Sequence, residues 1–129
     1  MSDADVVRSF YERVGSGDLP GGLALIADDC AWTEMETFGH AGVYVGPDAV
    51  RDNIFMRIGA EWAPFGLEVD EVLDAGSSVV GVGTYSGTCN DTGKSFSARV
   101  VHVFRVSDGK IVSFEQFTDT AAIAAAREG

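Results

Sequence analysis

The chain of 129 residues contains only two cysteines, two histidines and three prolines. Cys30 and Cys89 stand far apart and form no CxxC pair, which argues against a disulfide framework and a zinc knuckle. We expect both to be reduced, small residues of the core. His40 and His102 could be combined with Glu34 and Glu36 as a metal set, but no compact ligand spacing supports one. The expectation is therefore no metal and no organic cofactor.

Positive charge is also scarce, because 9 Lys and Arg residues face 20 Asp and Glu residues, giving a net charge of −11. Such a chain lacks the basic surface that tracks phosphates, so neither a nucleic acid nor an anionic membrane is an expected partner. No apolar run reaches membrane-spanning length, and no basic-then-apolar leader opens the chain. We expect a cytoplasmic protein.

Hydrophobic residues make up 46% of the sequence, and neither a repeat nor a low-complexity tract interrupts it. This composition and length predict one domain over residues 1–129 with a sizeable core.

Three helices are predicted in the first half. Ser2 and Asp5 form a capping-box pattern ahead of an apolar stripe formed by Val6, Val7, Phe10, Tyr11 and Val14. Asp18 and Pro20 start a second, short helix that we extend to Ile26 and Ala27. Pro47 starts a third, whose apolar stripe runs from Val50 to Trp62 before Pro64 ends it.

Strands dominate the rest of the chain. Residues 30–38 alternate, so Trp32, Glu34 and Glu36 share one face of an early strand, and a glycine-rich loop follows at 39–46. Further strands are predicted at 67–73 and 78–89, followed by a hairpin over 94–120 and a short helix that ends at Arg127. The order indicates an α+β fold with helices on one face of a curved, antiparallel-rich sheet.

The hairpin turns at Ser107-Asp108-Gly109, and a three-residue loop there pairs Val106 with Lys110, Phe104 with Val112 and His102 with Phe114. His102 and Gln116 then neighbour each other diagonally among apolar residues on one face. That face also carries Phe104 and Phe114, whereas Ile111 and Phe117 fall on the other.

The stretches GDLPGGLALIADDCAWTE, GVYVGPDAV and ARVVHVFRVSDGKIVSFEQFTDT resemble the nuclear-transport-factor-2-like superfamily, in particular its SnoaL-like and ketosteroid-isomerase-like members. The resemblance covers essentially the whole chain. It implies a cone, in which a strongly bent sheet wraps over about three helices and encloses a deep apolar pocket. It also implies a homodimer joined through the outer sheet face. The superfamily contains enzymes and plain binding domains, so the fold alone does not decide the function.

Comparison with ketosteroid isomerases implies that Glu34 takes the place of their general base. Their protonated aspartate corresponds to His102 and their oxyanion tyrosine to Phe10, so most of the donor pair is replaced. Each oxyanion donor contributes on the order of 3 kcal/mol, which disfavours steroid isomerisation by that mechanism unless the adjacent Tyr11 supplies a hydroxyl.

His102, Glu34 and Gln116 are the candidate catalytic residues. An imidazole can act as the acid or base, the carboxylate of Glu34 as its partner or as a second base, and Gln116 as a positioning group. Whether Glu36 and His40 face the pocket stays open. The candidate pocket wall consists of aromatic residues, which are Phe10, Trp32, Tyr44, Phe55, Trp62, Tyr85, Phe104 and Phe114.

Two functions fit these residues. The first is a cofactor-independent isomerase, cyclase or dehydratase that acts on a hydrophobic cyclic carbonyl compound, polyketide- or steroid-like. The second is a non-catalytic ligand-binding or dimerisation domain, in which the same polar side chains only satisfy one another.

Overall fold

The computed structural model describes residues 1–36 and 38–128. Its helices are α1 (Asp3–Gly15), α2 (Leu19–Leu23), α3 (Pro47–Val50), α4 (Met56–Glu61) and α5 (Thr120–Arg127), with a π-helical segment, Arg51–Phe55, between α3 and α4. Its strands are β1 (Ile26–Glu34), β2 (Gly42–Val45), β3 (Trp62–Asp74), β4 (Val79–Cys89), β5 (Ser95–Ser107) and β6 (Lys110–Thr118). The predicted α+β class and the cone are confirmed.

The first helix begins where its cap predicts. The Ser2 hydroxyl accepts a hydrogen bond from the backbone N–H of Asp5, whose carboxylate accepts one from the backbone N–H of Ser2. Val6, Val7 and Phe10 are buried on the inner side of this helix. Within the described residues, no helix has the length and apolar character needed to cross a membrane.

The six strands form one sheet in the order β2-β1-β6-β5-β4-β3. β1 runs parallel to β6, and every other neighbouring pair is antiparallel. Because β1 pairs with the last strand, Glu34 and Trp32 lie on the same sheet face as the hairpin residues His102 and Phe114.

Several predicted boundaries are wrong. The early strand, expected over residues 30–38, ends at Glu34. Ile26 and Ala27 start β1 instead of ending a helix, because Ile26 pairs with Ile111 of β6. Gly42–Val45, expected in a loop, forms an edge strand on β1. Trp62 opens β3 and pairs with Cys89, so the helix ends at Glu61, before Pro64.

The hairpin register also differs from the prediction. Asp108 and Gly109 both have positive φ, 52° and 75°, and they form a two-residue turn in which Ser107 pairs with Lys110. A bulge then makes Val112 an extra residue, and beyond it His102 pairs directly with Gln116. The two-residue turn places Ile111 opposite Val106 on the inner face, where Ile111 is fully buried, and the bulge after it keeps Phe114 and Gln116 on that face.

Small residues and a bulge give the sheet its curvature. Gly81, Gly83 and Gly87 are buried on the inner face of β4, and a register shift between Val69 and Glu71 bends the facing strand. A Cβ at Gly83 would overlap the backbone carbonyl of Glu68. The close approach of β3 to β4 therefore requires glycine at this position, and the bend leaves room over the inner face of the sheet.

We predict that Gly83→Ala lowers the free energy of unfolding by about 1–3 kcal/mol, because the backbone of β3 must shift to accept the methyl group. Gly66→Ala is the matched control in β3, since its Cβ would meet the Ser86 hydroxyl at an ordinary 3.7 Å. Urea unfolding measures the free energy of unfolding of both variants. Equal losses in the two variants would contradict this role of Gly83.

Candidate functional site

A cavity of about 530 Å³ lies between the helices and the concave face of the sheet. Most of its wall is apolar, and its polar groups come from Tyr11, Glu34, Tyr85 and His102. The other side chains and backbone segments in its wall belong to Phe10, Val14, Gly15, Trp32, Ile54, Phe55, Ile58, Gly59, Trp62, Ala63, Pro64, Phe65, Gly66, Leu67, Val69 and Phe114.

The carboxyl group of Glu34 projects from the end of β1 into this wall and is only 6% exposed. Burial raises its pKa to about 8, so the neutral acid predominates at pH 7. Its Oε2 atom and Nε1 of Trp32, two residues earlier on the same strand face, are both buried without a hydrogen bond of normal geometry. The indole N–H of Trp32 still lies close enough to the carboxyl group to oppose part of the rise in its pKa. A buried polar group without a protein partner is costly, and such groups concentrate at sites of function.

His102 lies between two tyrosines. Its Nδ1 atom is 2.8 Å from the hydroxyl of Tyr11, and its Nε2 atom is 2.6 Å from the hydroxyl of Tyr85. Burial lowers the pKa of the imidazole to about 3, which keeps the ring neutral over the physiological range. The histidine therefore has one N–H to donate and one ring nitrogen to accept.

Gln116 lies directly opposite His102 and is 1% exposed, behind the cavity wall. Its Nε2 donates to the hydroxyl of Tyr85 at 2.8 Å. The prediction that it neighbours His102 on the inner face is confirmed, but the contact between them runs through Tyr85. Burial, and secondarily the charge of Glu34, raise the pKa of Tyr85.

Gly81 makes the contact between Tyr11 and His102 possible. It pairs with His102 across β4 and β5, and a Cβ there would overlap the Tyr11 hydroxyl. α1 thus supplies a hydroxyl to the cavity through Tyr11, whereas Phe10 packs edge-on to Phe104. The sequence suggests Tyr11 as a substitute donor only because it is adjacent to Phe10, and the glycine opposite His102 is the further signal that favours it.

Most, but not all, of the predicted wall residues reach the cavity. Trp32 stacks on Phe114, with ring centroids 3.7 Å apart, and both line it together with Phe10, Phe55, Trp62 and Tyr85. Two assignments are corrected. Phe104 is fully buried behind the wall, and Tyr44 lies on the edge strand, where its hydroxyl donates to the backbone carbonyl of His40.

The early part of β3, residues 63–69, forms wall that the sequence did not reveal. Pro64 marks a helix end in the sequence and the strand is predicted only from residue 67, so none of residues 63–69 is predicted in the pocket wall. Gly66 and Leu67 are among the residues that line the cavity there.

Neither His40 nor Glu36 lines the cavity. Nε2 of His40 is 2.7 Å from a carboxylate oxygen of Glu61, and Glu36 lies 3.9 Å from Arg127 at the surface. Over residues 1–36 and 38–128, no group of three His, Cys, Asp or Glu residues is arranged to hold a metal ion.

A model of the SnoaL-like domain matches residues 7–114. The chain belongs to the SnoaL-like domain family. Over its full length it is 44% identical to an NTF2-like protein of Burkholderia thailandensis, 99% of which is covered, with a TM-score of 0.97. An NTF2-like protein of unknown function from Burkholderia pseudomallei is 32% identical, with full coverage of both chains and a TM-score of 0.88.

A more distant structural neighbour shows the fold alone. TerC, co-crystallized with polyporic acid, is 23% identical over 97% of each chain, with a TM-score of 0.85. No curated protein matches the sequence significantly. Proteins of this fold include isomerases, cyclases and epoxide hydrolases, so the particular reaction must be argued from the side chains in the cavity.

We predict that Glu34→Gln stabilises the protein increasingly as pH rises from about 4.5 to 8. The folded-state pKa of about 8 lies above the ordinary value of 4.5, so the native state holds a proton that the unfolded chain has lost. Wild-type stability therefore falls across this window, by at most about 1.4 kcal/mol per pH unit from this group.

Urea unfolding of both proteins at several pH values tests the prediction. The free energy of unfolding of Glu34→Gln, minus that of the wild type, should increase as pH rises. Glu12→Gln, at an exposed position on α1, serves as the control and should leave the pH dependence of stability unchanged. If this difference in the free energy of unfolding stays constant with pH, the pKa of Glu34 is not raised.

Proposed function

We propose that this SnoaL-like protein is an enzyme that moves a proton at a carbon next to a carbonyl group in an apolar small molecule. One observation carries the proposal: a buried carboxyl group with an unpartnered oxygen faces an apolar cavity. The cavity also contains the Tyr11 hydroxyl, held by His102. An acid–base group near neutral pKa and a hydrogen-bond donor are the two requirements for such a proton transfer.

In the proposed reaction the carboxylate of Glu34 takes a proton from the α-carbon of the ligand. The electron pair of the broken C–H bond moves onto the carbonyl oxygen, where the Tyr11 hydroxyl stabilises the resulting enolate by hydrogen bonding. Glu34, now a carboxylic acid, returns the proton to the same carbon or to a conjugated one. The proton is returned within the cycle, so the step balances without a cofactor.

His102 takes a different role from the acid or base first expected of it. Both ring nitrogens are engaged by tyrosine hydroxyls, and the lowered pKa disfavours protonation. Glu34, with its pKa near 8, is better matched to proton transfer at physiological pH. His102 positions the Tyr11 hydroxyl in this proposal.

The apolar wall favours a hydrophobic ligand with a cyclic body. The stacked rings of Trp32 and Phe114, with Phe10 and Phe55 beside them, offer flat surfaces to such a ligand. TerC, which shares this fold, was co-crystallized with polyporic acid, and this supports an organic small molecule as the ligand.

The test is hydrogen–deuterium exchange at the α-carbons of 2-tetralone, an apolar bicyclic ketone, followed by NMR in heavy water. We expect the wild-type protein to accelerate exchange, with a rate that rises with pH up to about 8 because the carboxylate is the base. Glu34→Gln should reduce exchange to background. Tyr11→Phe should slow it by about 10²-fold, the usual effect of one oxyanion donor.

Glu12→Gln removes a carboxylate outside the cavity and should leave the exchange rate unchanged. Exchange by Glu34→Gln at the wild-type rate would overturn the role of Glu34. Binding of the ketone without any exchange would favour the non-catalytic ligand-binding domain instead.

We also propose that two copies associate through the outer face of the sheet. Phe117 is 43% exposed there, beside half-buried Val101 and Val103. The exposed Arg105 and Glu115 lie on the same face, so a two-fold arrangement can place opposite charges together. Arg99 is not part of this charge pair, because its guanidinium forms an ion pair with Asp70 at 2.6 Å.

We predict that Phe117→Lys converts a dimer into a monomer, because it buries a charge in the apolar centre of that contact. Sedimentation velocity measures the mass. Met56→Lys, at another exposed apolar residue on α4, is the matched control and should leave a dimer intact. A wild-type monomer would refute the contact.

Cys30 and Cys89, both buried free thiols, fit a reducing compartment such as the cytoplasm.

A further inference from the structure

Four side chains are hydrogen-bonded in series from the sheet interior to the cavity. Nε2 of Gln116 donates to the Tyr85 hydroxyl at 2.8 Å, that hydroxyl lies 2.6 Å from Nε2 of His102, and Nδ1 of His102 lies 2.8 Å from the Tyr11 hydroxyl. Gln116, Tyr85 and His102 are buried, and Tyr11 is half-buried at the cavity end. Each link joins groups that can exchange roles as donor and acceptor, so the chain can run in one of two directions.

The amide of Gln116 decides the direction. Its N–H uses a lone pair of the Tyr85 oxygen, and the hydroxyl hydrogen of Tyr85 then needs an acceptor. Among the described residues, Nε2 of His102 is the acceptor within reach of that hydroxyl. A neutral imidazole that accepts at Nε2 has its proton on Nδ1, and that N–H donates to the oxygen of Tyr11.

We propose that Gln116 is a positioning residue that fixes the Nδ1–H tautomer of His102 and thereby leaves the Tyr11 hydroxyl hydrogen free to bond a ligand. The ligand end that meets Tyr11 must then be an acceptor, such as a carbonyl or enolate oxygen. This inference deepens the proposed function and rests on it for the use of the donor, whereas the direction of the chain is independent of any activity.

The opposite direction would give the cavity the opposite chemistry. If the amide of Gln116 were turned over, Tyr85 would donate to its oxygen, His102 would donate from Nε2, and Tyr11 would donate to Nδ1. The cavity would then meet only the lone pairs of Tyr11, which suit a ligand donor. The Oε1 atom of Gln116 has no partner in its buried position, and turning the amide would put an NH₂ group there with both hydrogens unpaired.

The tautomer of His102 can be read directly by ¹⁵N NMR of the ligand-free protein with labelled histidine. Only His40 and His102 are present, so a His40→Gln variant assigns the signals. We expect a protonated, pyrrole-like Nδ1 and an unprotonated, pyridine-like Nε2 for His102 at neutral pH. The reverse pattern in the wild-type protein would overturn the inference.

Gln116→Met keeps the approximate shape of the side chain and removes the N–H donor. We expect the Nδ1–H tautomer to lose its dominance, with the two ring ¹⁵N shifts moving toward each other. Ile111→Val, a buried change on the same strand and face, is the control for packing damage and should leave the tautomer as in the wild type. An unchanged tautomer in Gln116→Met would show that Gln116 does not set it.

Ligand binding tests the second half of the inference with 2-tetralone and the hydrocarbon tetralin, which lacks the carbonyl group. Tyr11→Phe should weaken binding of the ketone about five- to tenfold, the effect of one neutral hydrogen bond, and leave tetralin binding unchanged. Equal effects on both would refute an acceptor site at Tyr11. If the tautomer and binding results hold but no α-carbon exchange occurs, the proposed reaction fails and the donor site stands.

Discussion

The polar pair formed by His102 and Gln116 occupies the apolar inner face of the sheet, and its need for hydrogen bonds organises much of the interior. Unpaired, these groups would cost on the order of 1–3 kcal/mol each. Tyr85 meets both of them from the neighbouring strand, and Tyr11 meets the histidine from α1. The helix is therefore tied to the sheet by a specific polar contact as well as by the packing of Val6 and Val7.

The contact between Tyr11 and His102 depends on the glycines of β4. Without Gly81 there would be no space for the Tyr11 hydroxyl next to His102, and without Gly83 the two strands β3 and β4 could not approach so closely. Curvature and polar contact thus come from the same short stretch of β4. The cavity lies between the bent sheet and the helices, and three of the polar side chains in its wall, Tyr11, Tyr85 and His102, are hydrogen-bonded to one another.

The sequence predicted the fold class, the helix caps and the inner face of the hairpin well, because these follow from local periodicity and capping chemistry. The hairpin register was two residues off at His102, yet Phe114 and Gln116 still fell on the inner face. The turn shifts the register by one residue, and the bulge at Val112 shifts it by a second. A shift of two residues leaves each side chain beyond the bulge on its predicted face. Ile111, between the turn and the bulge, was therefore assigned to the wrong face.

The site itself was less predictable, because it depends on long-range contacts. Glu34 and His102 could be placed on inner faces by alternation alone. The hydrogen bond from Gln116 to Tyr85 could not be predicted in this way, because Tyr85 lies on a third strand. Its position depends on the register of β4 on β5, which pairs Tyr85 with Ala98. Alternating Gly81 and Gly83 were a readable signal of curvature, although nothing local shows which hydroxyl occupies the space they leave.

Glu34 and His102 show how one environment gives two buried ionisable groups different roles. Burial favours the neutral form of each, so it raises the pKa of the acid and lowers that of the base. The difference lies in their partners. The nitrogens of His102 are both satisfied by protein hydroxyls, so its environment holds it in one state and one orientation. Glu34 retains an unpartnered oxygen toward the cavity, so a ligand can complete its environment and change its protonation, which is the property a proton-transfer group needs.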